Sequence, residues 1–177
     1  MDVGDLTYAE IMNCHPFGNS IIAIKASGQQ ILDALEWGAR NTQADYKDAE
    51  GNPVGECGQF LQVSGLRYTI DTSIESPAIS DINSMFFGMV EDAPHRVSDV
   101  EVMKNGEWVP LDAEAEYILG GHDHTLLKHG GGFTMFDGDE LVLDSGIPDY
   151  QILVNHIASF NGDLSAYAES QRRITIK

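Results

Sequence analysis

Basic residues are scarce in this chain of 177 residues. Ten lysines and arginines stand against 28 aspartates and glutamates, so the formal net charge is −18. The only adjacent basic pair is Arg172-Arg173. Because binding to a nucleic-acid backbone requires cations that neutralise phosphates, this composition argues against a nucleic-acid partner. The same negative field would repel a free anionic ligand unless a local site or a metal outweighed it.

Long apolar runs are missing as well. No run approaches the 18 residues of a membrane span, and the opening MDVGDLTYAE has neither the basic nor the apolar region of a signal peptide. A hydrophobic content of 42% and two tryptophans nevertheless predict a folded chain that can bury a core. We expect one domain over residues 1–177. Because structure is predicted from the first residues onward, we expect it to be a fragment of a longer protein.

Cysteine is limited to Cys14 and Cys57, which lie 43 residues apart and match no zinc-binding spacing. Two separate buried thiols and one disulfide are both compatible with this pattern. The redox compartment is therefore left open.

Hydrophobic periodicity, capping signals and turn residues predict interspersed helices and strands. Two capping boxes, Thr7 with Glu10 and Ser27 with Gln30, each precede a predicted helix. Asn105-Gly106 predicts a type I′ hairpin turn. The predicted helices are 8–13, 28–40 and 149–160, the strands are 20–26, 60–71, 96–103, 107–111, 116–120 and 172–177, and the loops are 42–58 and 72–84. Since the order lacks regular βαβ alternation, the predicted class is α+β with a mixed β-sheet and packed helices.

Residues 120–136, GGHDHTLLKHGGGFTMF, are the most unusual stretch of the chain. A first interpretation is a metal site, because His122 and His124 would share one face of an extended segment, with Asp123 or His129 as a further ligand. No second cluster of carboxylates and histidines accompanies them, as a hydrolytic metal centre would require. Three other histidines are expected to be isolated surface or locally hydrogen-bonded residues: His15, His95 and His156.

A second interpretation of the stretch is a phosphate-binding loop. The run Gly130-Gly131-Gly132 lacks the Lys-Ser/Thr pair of a P-loop, and no helix signal follows it. The third interpretation is a surface for a flat ring. His124 could stack on a heteroaromatic base, and Phe17, in the corner HPFGN, could supply the opposite wall. Phe17 is equally compatible with an ordinary place in the core.

Several motifs occur in an order that resembles a known family. They are GDLT (4–7), PFGN (16–19), QFLQVSG (59–65), the glycine-rich stretch that ends in GFTMF (132–136), and SG (145–146) followed by the helix at 149–160. Over residues 4–177 the chain resembles the C-terminal domain of the 5′-nucleotidase / UDP-sugar hydrolase / 2′,3′-cyclic-nucleotide phosphodiesterase family.

This resemblance implies a two-domain periplasmic, extracellular or cell-surface hydrolase. Its N-terminal metallophosphoesterase domain would hold two divalent metal ions and carry out catalysis, so the present chain alone would be inactive and would need no cofactor. The C-terminal domain would bind the nucleoside between two aromatic rings. Phe17 matches the first ring, and the pair Asp123-His124 matches the asparagine and ring of the second.

Two departures from the family pattern bear on this site. His124 offers an imidazole in place of a phenyl or phenol ring, and Gly131 replaces the aspartate that holds the ribose. The ribose contact is therefore expected to be lost or moved to Asp123, with Gly130 and Gly132 on either side of the changed position. A nucleoside- or sugar-binding module without catalysis and a decayed scaffolding or dimerisation domain are the alternative functions.

Overall fold

The computed structural model describes residues 4, 6–43, 58–161 and 163–177. Within these residues the helices are α1 (Tyr8–Cys14), α2 (Gly28–Ala39), α3 (Asp123–Leu126) and α4 (Asp149–Ser159). The strands are β1 (Ser20–Ser27), β2 (Leu66–Ile70), β3 (Ala78–Ser80), β4 (Phe86–Met89), β5 (Val97–Lys104), β6 (Glu107–Pro110), β7 (Glu116–His122), β8 (Glu140–Pro148) and β9 (Ile174–Ile176). Short 3₁₀ turns lie at Gly130–Gly132, Thr134–Phe136 and Ser165–Tyr167.

The described strands form three sheets. One is antiparallel with the order β7-β1-β8, the second has the order β6-β5-β2-β9, and β3 pairs with β4 as a separate hairpin. Because β2 runs parallel to β9 and antiparallel to β5, the second sheet is mixed. The predicted α+β class with a mixed sheet is confirmed.

Helix α2 connects the two larger sheets through the core. It begins with a complete capping box, in which the Ser27 hydroxyl accepts from the Gln30 N–H and the Gln30 side chain accepts from the Ser27 N–H. Its apolar side packs against the inward face of β1, where Ile22 and Ile24 are buried. The core is completed by other buried side chains, namely Ala26, Ile31, Ala34, Leu35, Trp37, Ala39, Leu66, Tyr68, Ile70, Leu126, Phe133 and Phe136.

Two buried charged residues, Arg96 and Glu36, fasten the end of α2 to the mixed sheet. The Nη1 atom of Arg96 donates to the carbonyl oxygens of Ala39 (2.8 Å) and Arg40 (2.9 Å), which are among the last of the helix. Glu36, 1% exposed, accepts from the backbone N–H of Val97 at 3.0 Å through Oε2. The guanidinium thus satisfies carbonyls that a helix end leaves without partners.

Local signals predicted the short-range elements well. The helices at α1, α2 and α4 are confirmed, and the hairpin of β5 and β6 is confirmed with Asn105 at φ 53° and Gly106 at φ 87°. Positive φ at both central residues is the signature of the predicted type I′ turn. The strands predicted at 116–120 and 172–177 are present at Glu116–His122 and Ile174–Ile176.

The strand prediction over 60–71 is wrong for residues 60–65. Their apolar side chains pack on the core, but among the described residues no strand ladder includes them, and only the Gly65 carbonyl accepts from β5, at 2.8 Å from the Met103 nitrogen. Side chains donate hydrogen bonds to these residues instead. The Tyr68 hydroxyl donates to the Leu61 carbonyl oxygen, and the Arg173 guanidinium donates to the Val63 carbonyl oxygen. The predicted loop 72–84 contains β3, and β4 and β8 were not predicted.

Strand β8 escaped prediction because Asp144, Ser145 and Gly146 interrupt its apolar run. Its pairing with β1 shifts register twice, between Ser20 and Ile22 and between Ala23 and Ile24. Such bulges let one strand accommodate turn-forming residues while the ladder continues on both sides.

Some expectations fall outside the described residues. The predicted loop 42–58 lies mostly in 44–57, and Cys57 belongs to that segment. Cys14, at the end of α1, is exposed and its thiol lies 3.4 Å from the Glu10 carbonyl oxygen, to which it can donate. Among the described helices, none combines the length and the apolar character that crossing a membrane demands.

Candidate functional site

The corner between α1 and β1 presents Phe17 to solvent. Its side chain is 87% exposed, so the alternative place in the core is excluded. Gly18 adopts φ +61°, and a Cβ there would lie 3.6 Å from the Tyr150 ring, so the corner passes close to the start of α4. The Asp149 N–H donates to the Asn19 carbonyl at 2.9 Å and secures this position. The chain therefore holds a large apolar ring in water on a well-anchored turn.

His124 emerges at the same end of the antiparallel sheet. The pairing of β1 with β7 ends at Ile21 opposite His122, so the chain enters β1 from Phe17 where it leaves β7 towards His124. The imidazole is exposed and lies directly over Gly130. A Cβ at Gly130 would come within 1.9 Å of the His124 Nε2 atom, so only glycine allows this ring position.

Asp123 is turned inward. Its side chain is 14% exposed, and the Lys128 ammonium donates to its Oδ2 atom at 2.6 Å. This hydrogen bond lowers the pKa of Asp123, partial burial opposes the shift, and the attraction of the lysine charge and the N–H groups of His124 and Ser20 add to the lowering. The Oδ2 atom therefore has a partner from its own loop, whereas the Oδ1 atom is buried.

The glycine run serves close packing within the chain. Gly131 and Gly132 have φ values of +74° and +87°, and the Trp37 indole N–H donates to the Gly131 carbonyl at 2.8 Å. A Cβ at Gly132 would lie 2.8 Å from both the Ser84 carbonyl oxygen and the Trp37 ring. Gly131 and Gly132 thus fasten the run to the core at Trp37, while Gly130 lies against the His124 ring. Sequence reasoning identified the glycines but not Trp37, which lies 94 residues away from the loop.

Three of the four residues weighed for a metal within 122–129 have different partners. Asp123 pairs with Lys128, and His129 lies 3.7 Å from Asp137. His122 instead approaches Asp149, with 3.8 Å between its Nε2 atom and Oδ2 of the carboxylate.

His15, which was expected to be isolated, forms a group with His122 and Asp149. Its Nδ1 atom lies 3.4 Å from the Asp149 Oδ2 atom, and its ring meets the His122 ring edge to face with centroids 6.0 Å apart. The expectation of isolation is therefore wrong for His15. No local signal marks this group, because its three residues are separated by 107 and 27 positions and meet only through the pairing of β1 with β7 and β8.

A cleft of about 540 Å³ opens beside this group. His15 and His122 are among its lining residues, and so are Leu119, Thr125, Leu126 and Phe136. Neither Phe17 nor His124 is among the described residues that line it. The cleft is thus separate from the two exposed rings of Phe17 and His124 at the same end of the antiparallel sheet.

Comparison with known proteins shows which family and which relatives this sequence resembles. The sequence profile of the family described as 5′-nucleotidase, C-terminal domain, matches residues 1–138. The trifunctional nucleotide phosphoesterase protein YfkN of Bacillus subtilis is 26% identical over 172 residues, which are 97% of this chain and 10% of that protein. An apyrase of Aedes aegypti is 33% identical over 122 residues, or 66% of this chain and 17% of that protein.

Solved structures share the fold. The 5′-nucleotidase precursor from Thermus thermophilus superposes with a TM-score of 0.70 and 27% identity, over 97% of this chain and 28% of that one. The NAD nucleotidase of Haemophilus influenzae gives a TM-score of 0.68 at 19% identity, over 98% and 27% of the respective chains. The present chain thus spans well under a third of the length of these relatives.

Proposed function

Because this chain belongs to the family of 5′-nucleotidase C-terminal domains, we propose that it is the nucleoside-recognition domain of a 5′-nucleotidase-type phosphoester hydrolase. Phe17 and His124 are the two walls between which a base stacks. The observation that carries this proposal is the exposure of Phe17, 87%, on a corner that is anchored on both sides.

The energetics of Phe17 support a ligand role. Leaving a phenyl ring in water forgoes about 1.5–3 kcal/mol of burial free energy, which a flat ligand would recover. Stacking of a base on an aromatic side chain contributes about 1–3 kcal/mol and tolerates any base. His124 emerges at the same end of the sheet, and Gly130 lies against its ring from behind.

The ribose contact has no direct replacement at position 131. Gly131 offers no side chain, and its carbonyl oxygen accepts from Trp37. The Oδ2 atom of Asp123 is engaged by the Lys128 ammonium and its Oδ1 atom is buried, so the carboxylate is not open to a ribose hydroxyl. Affinity for the nucleoside therefore depends on the base more than on the sugar.

The charge of the domain is compatible with a nucleotide substrate under one condition. A net charge of −18 disfavours phosphate, so the uncharged nucleoside end is the part that this domain binds. In the longer protein, an N-terminal metallophosphoesterase domain with two divalent metal ions would hold the phosphate and hydrolyse it. The isolated chain would then release no phosphate from nucleotides. The family resemblance also supports an extracellular, periplasmic or cell-surface location, which fractionation of the producing cells would test.

Adenosine titration of the chain tests the proposed base site. We expect Phe17→Ala to weaken binding about tenfold, since 1.4 kcal/mol of stacking corresponds to a factor of ten in affinity. His124→Ala should weaken it as well. Phe87→Ala is the matched control, because Phe87 is also an exposed phenylalanine, at 78%, but lies in β4.

Equal losses of adenosine affinity in Phe17→Ala and Phe87→Ala would contradict the assignment of Phe17 as a wall of the base site. Absence of any binding by the wild-type chain would favour the scaffolding alternative. Unchanged hydrolysis of nucleotides by a full-length Phe17→Ala enzyme, although the substitution weakens nucleoside binding, would favour a binding role unrelated to catalysis.

A further inference from the structure

Three residues from different elements converge beside the cleft: His15 follows α1, His122 ends β7, and Asp149 begins α4. We propose that this His15–His122–Asp149 cluster is a binding site for one divalent transition-metal ion, with zinc as the best match. All three proposed ligands belong to this chain. The sequence predicted no metal here, so the proposal departs from that expectation.

The spacing of the donor atoms fits a single ion. Zinc bonds of about 2.1 Å in a tetrahedral site place neighbouring donors about 3.4 Å apart. The Asp149 Oδ2 atom lies 3.4 Å from Nδ1 of His15 and 3.8 Å from Nε2 of His122. One ligand atom from each residue lies within 4.8 Å of the others. Small side-chain rotations of the two half-exposed histidines would close the remaining distance.

The carboxylate is poorly compensated without an ion. The Asp149 side chain is 3% exposed, and its Oδ1 atom accepts from the Tyr150 N–H at 2.7 Å. The ion-pair partners of Oδ2 among the described residues are the two histidines, both farther away than the usual 2.9 Å or so of an N–H···O bond. Because burial of a carboxylate is costly unless it is paired or coordinates a metal, an ion between the three side chains would satisfy it.

Two histidines and one carboxylate form a ligand set that suits zinc and leaves a coordination position free. The side chains of His15 and His122 are 32% and 39% exposed, and both line the 540 Å³ cleft. The fourth position therefore faces solvent, where a water molecule can complete the coordination. The strongly negative charge of the domain attracts cations to its surface and adds to the affinity.

An ion here would also join the two walls of the proposed base site. His15 lies two residues before Phe17, and His122 lies two residues before His124. Coordination of both histidines would fix the two segments relative to each other, and pre-organised sites bind more tightly. This consequence rests on the proposed function, whereas binding of the metal itself does not.

Zinc titration of the metal-free, tag-free chain tests the cluster. We expect one ion per wild-type chain, and a loss of affinity of at least tenfold in His122→Ala and in Asp149→Asn. Asp149→Asn keeps the shape of the side chain, so it guards against loss through misfolding. His156→Ala is the matched control, because His156 is an exposed histidine that contacts Tyr167 in another part of the fold. Cobalt should bind the same chain and give the intense visible bands of a low-symmetry site.

Absence of stoichiometric binding, or binding that His122→Ala and Asp149→Asn leave unchanged, would overturn the metal site. Adenosine titration with and without zinc separates the two proposals. Zinc binding that does not alter adenosine affinity would uphold the ion site and refute its link to the base site. Absence of adenosine binding under both conditions would refute the proposed function and leave the zinc result intact.

Discussion

Position 132 admits no side chain larger than hydrogen. Gly132 is buried, and a Cβ there would lie 2.8 Å from both the Ser84 carbonyl oxygen and the Trp37 ring. Neither contact is the free end of a flexible chain, so the loop itself would have to move. The glycine loop beneath His124 thus depends on the same tryptophan that fills the centre of the core.

Gly132→Ala should destabilise the domain more than Gly138→Ala. Both glycines have positive φ, +87° and +81°, but a Cβ at Gly138 would meet nothing within 4 Å. The left-handed conformation costs alanine about 1–2 kcal/mol at each position. Overpacking adds about 1–3 kcal/mol at Gly132 alone. Urea unfolding of the two variants measures the difference, and equal losses would show that backbone strain, not crowding, fixes the loop.

The ion pair of Lys128 and Asp123 should make the stability of the folded chain depend on pH in the acid range. The pKa of Asp123 in the folded chain lies below its ordinary value of 3.8. Its stabilising contribution is therefore complete above that value and is lost as pH falls through the lower, folded pKa. Lys128→Met should lower the melting temperature at neutral pH, and the deficit should shrink below about pH 3.8.

Lys104→Met serves as the control for this comparison, because Lys104 is exposed at the end of β5. Its effect on melting should be small and nearly independent of pH. A Lys128→Met deficit that persists undiminished into acid would show that packing of the lysine stem, not the charge pair, stabilises the loop.

Residue-level reasoning drew attention to the exposed corner at Phe17 but not to the group formed by His15, His122 and Asp149. The corner at Phe17 could be recognised because proline and glycine flank the ring within three positions. The association of His15 with Asp149 could not, since the two are 134 positions apart in a single sequence. Similarly, Asp123 was weighed as a ribose contact, yet its partner Lys128 lies within its own loop.

At the scale of elements, prediction succeeded where the determining interactions are local. Both capping boxes and the Asn105-Gly106 turn are decided by residues within four positions of one another, and all three occur as expected. Strand pairing is decided by distant residues, and there prediction failed. Residues 60–65 have strand-like composition but find side-chain partners, whereas β8 contains turn residues and is stabilised as a strand by β1.

Arg96 shows the same dependence on distant partners, and Arg96→Lys should be strongly destabilising. Arg96 is 5% exposed and its guanidinium also donates to the Ile74 carbonyl at 3.1 Å. Lysine keeps the charge but cannot reach several carbonyls at once, and each buried acceptor left unpaired costs about 1–3 kcal/mol. We expect a loss of at least about 2 kcal/mol in the free energy of unfolding.

Arg67→Lys is the matched control. Arg67 pairs with Glu101 on the neighbouring strand, but its side chain is 43% exposed. A change of under about 1 kcal/mol is expected there, as for other exposed ion pairs. Similar losses in the free energy of unfolding of the two variants would show that the end of α2 does not need the several hydrogen bonds of the buried Arg96 guanidinium.

At the scale of the whole molecule, the dominant feature is the excess of negative charge. Mutual repulsion among the carboxylates opposes compaction, because unfolding moves like charges apart. The core must offset this repulsion, and salt relieves it. At about 10 mM salt the screening length is about 30 Å, comparable with the size of the domain, whereas at 0.15 M it is about 8 Å.

The melting temperature should therefore rise as sodium chloride is increased from low to physiological ionic strength. For a domain of this size, each 1 kcal/mol of relieved repulsion raises melting by about 2–4 °C. The chelator EDTA in every sample excludes stabilisation by bound divalent ions, and potassium chloride should act like sodium chloride if screening is the cause. A triple variant with Glu91, Glu107 and Glu114 each replaced by glutamine removes three exposed charges without breaking a described side-chain hydrogen bond. It should melt higher than the wild type at low salt, and the advantage should vanish at high salt. An advantage that persists at high salt, or a wild-type melting temperature insensitive to salt, would show that the net charge of −18 does not limit the stability of the fold.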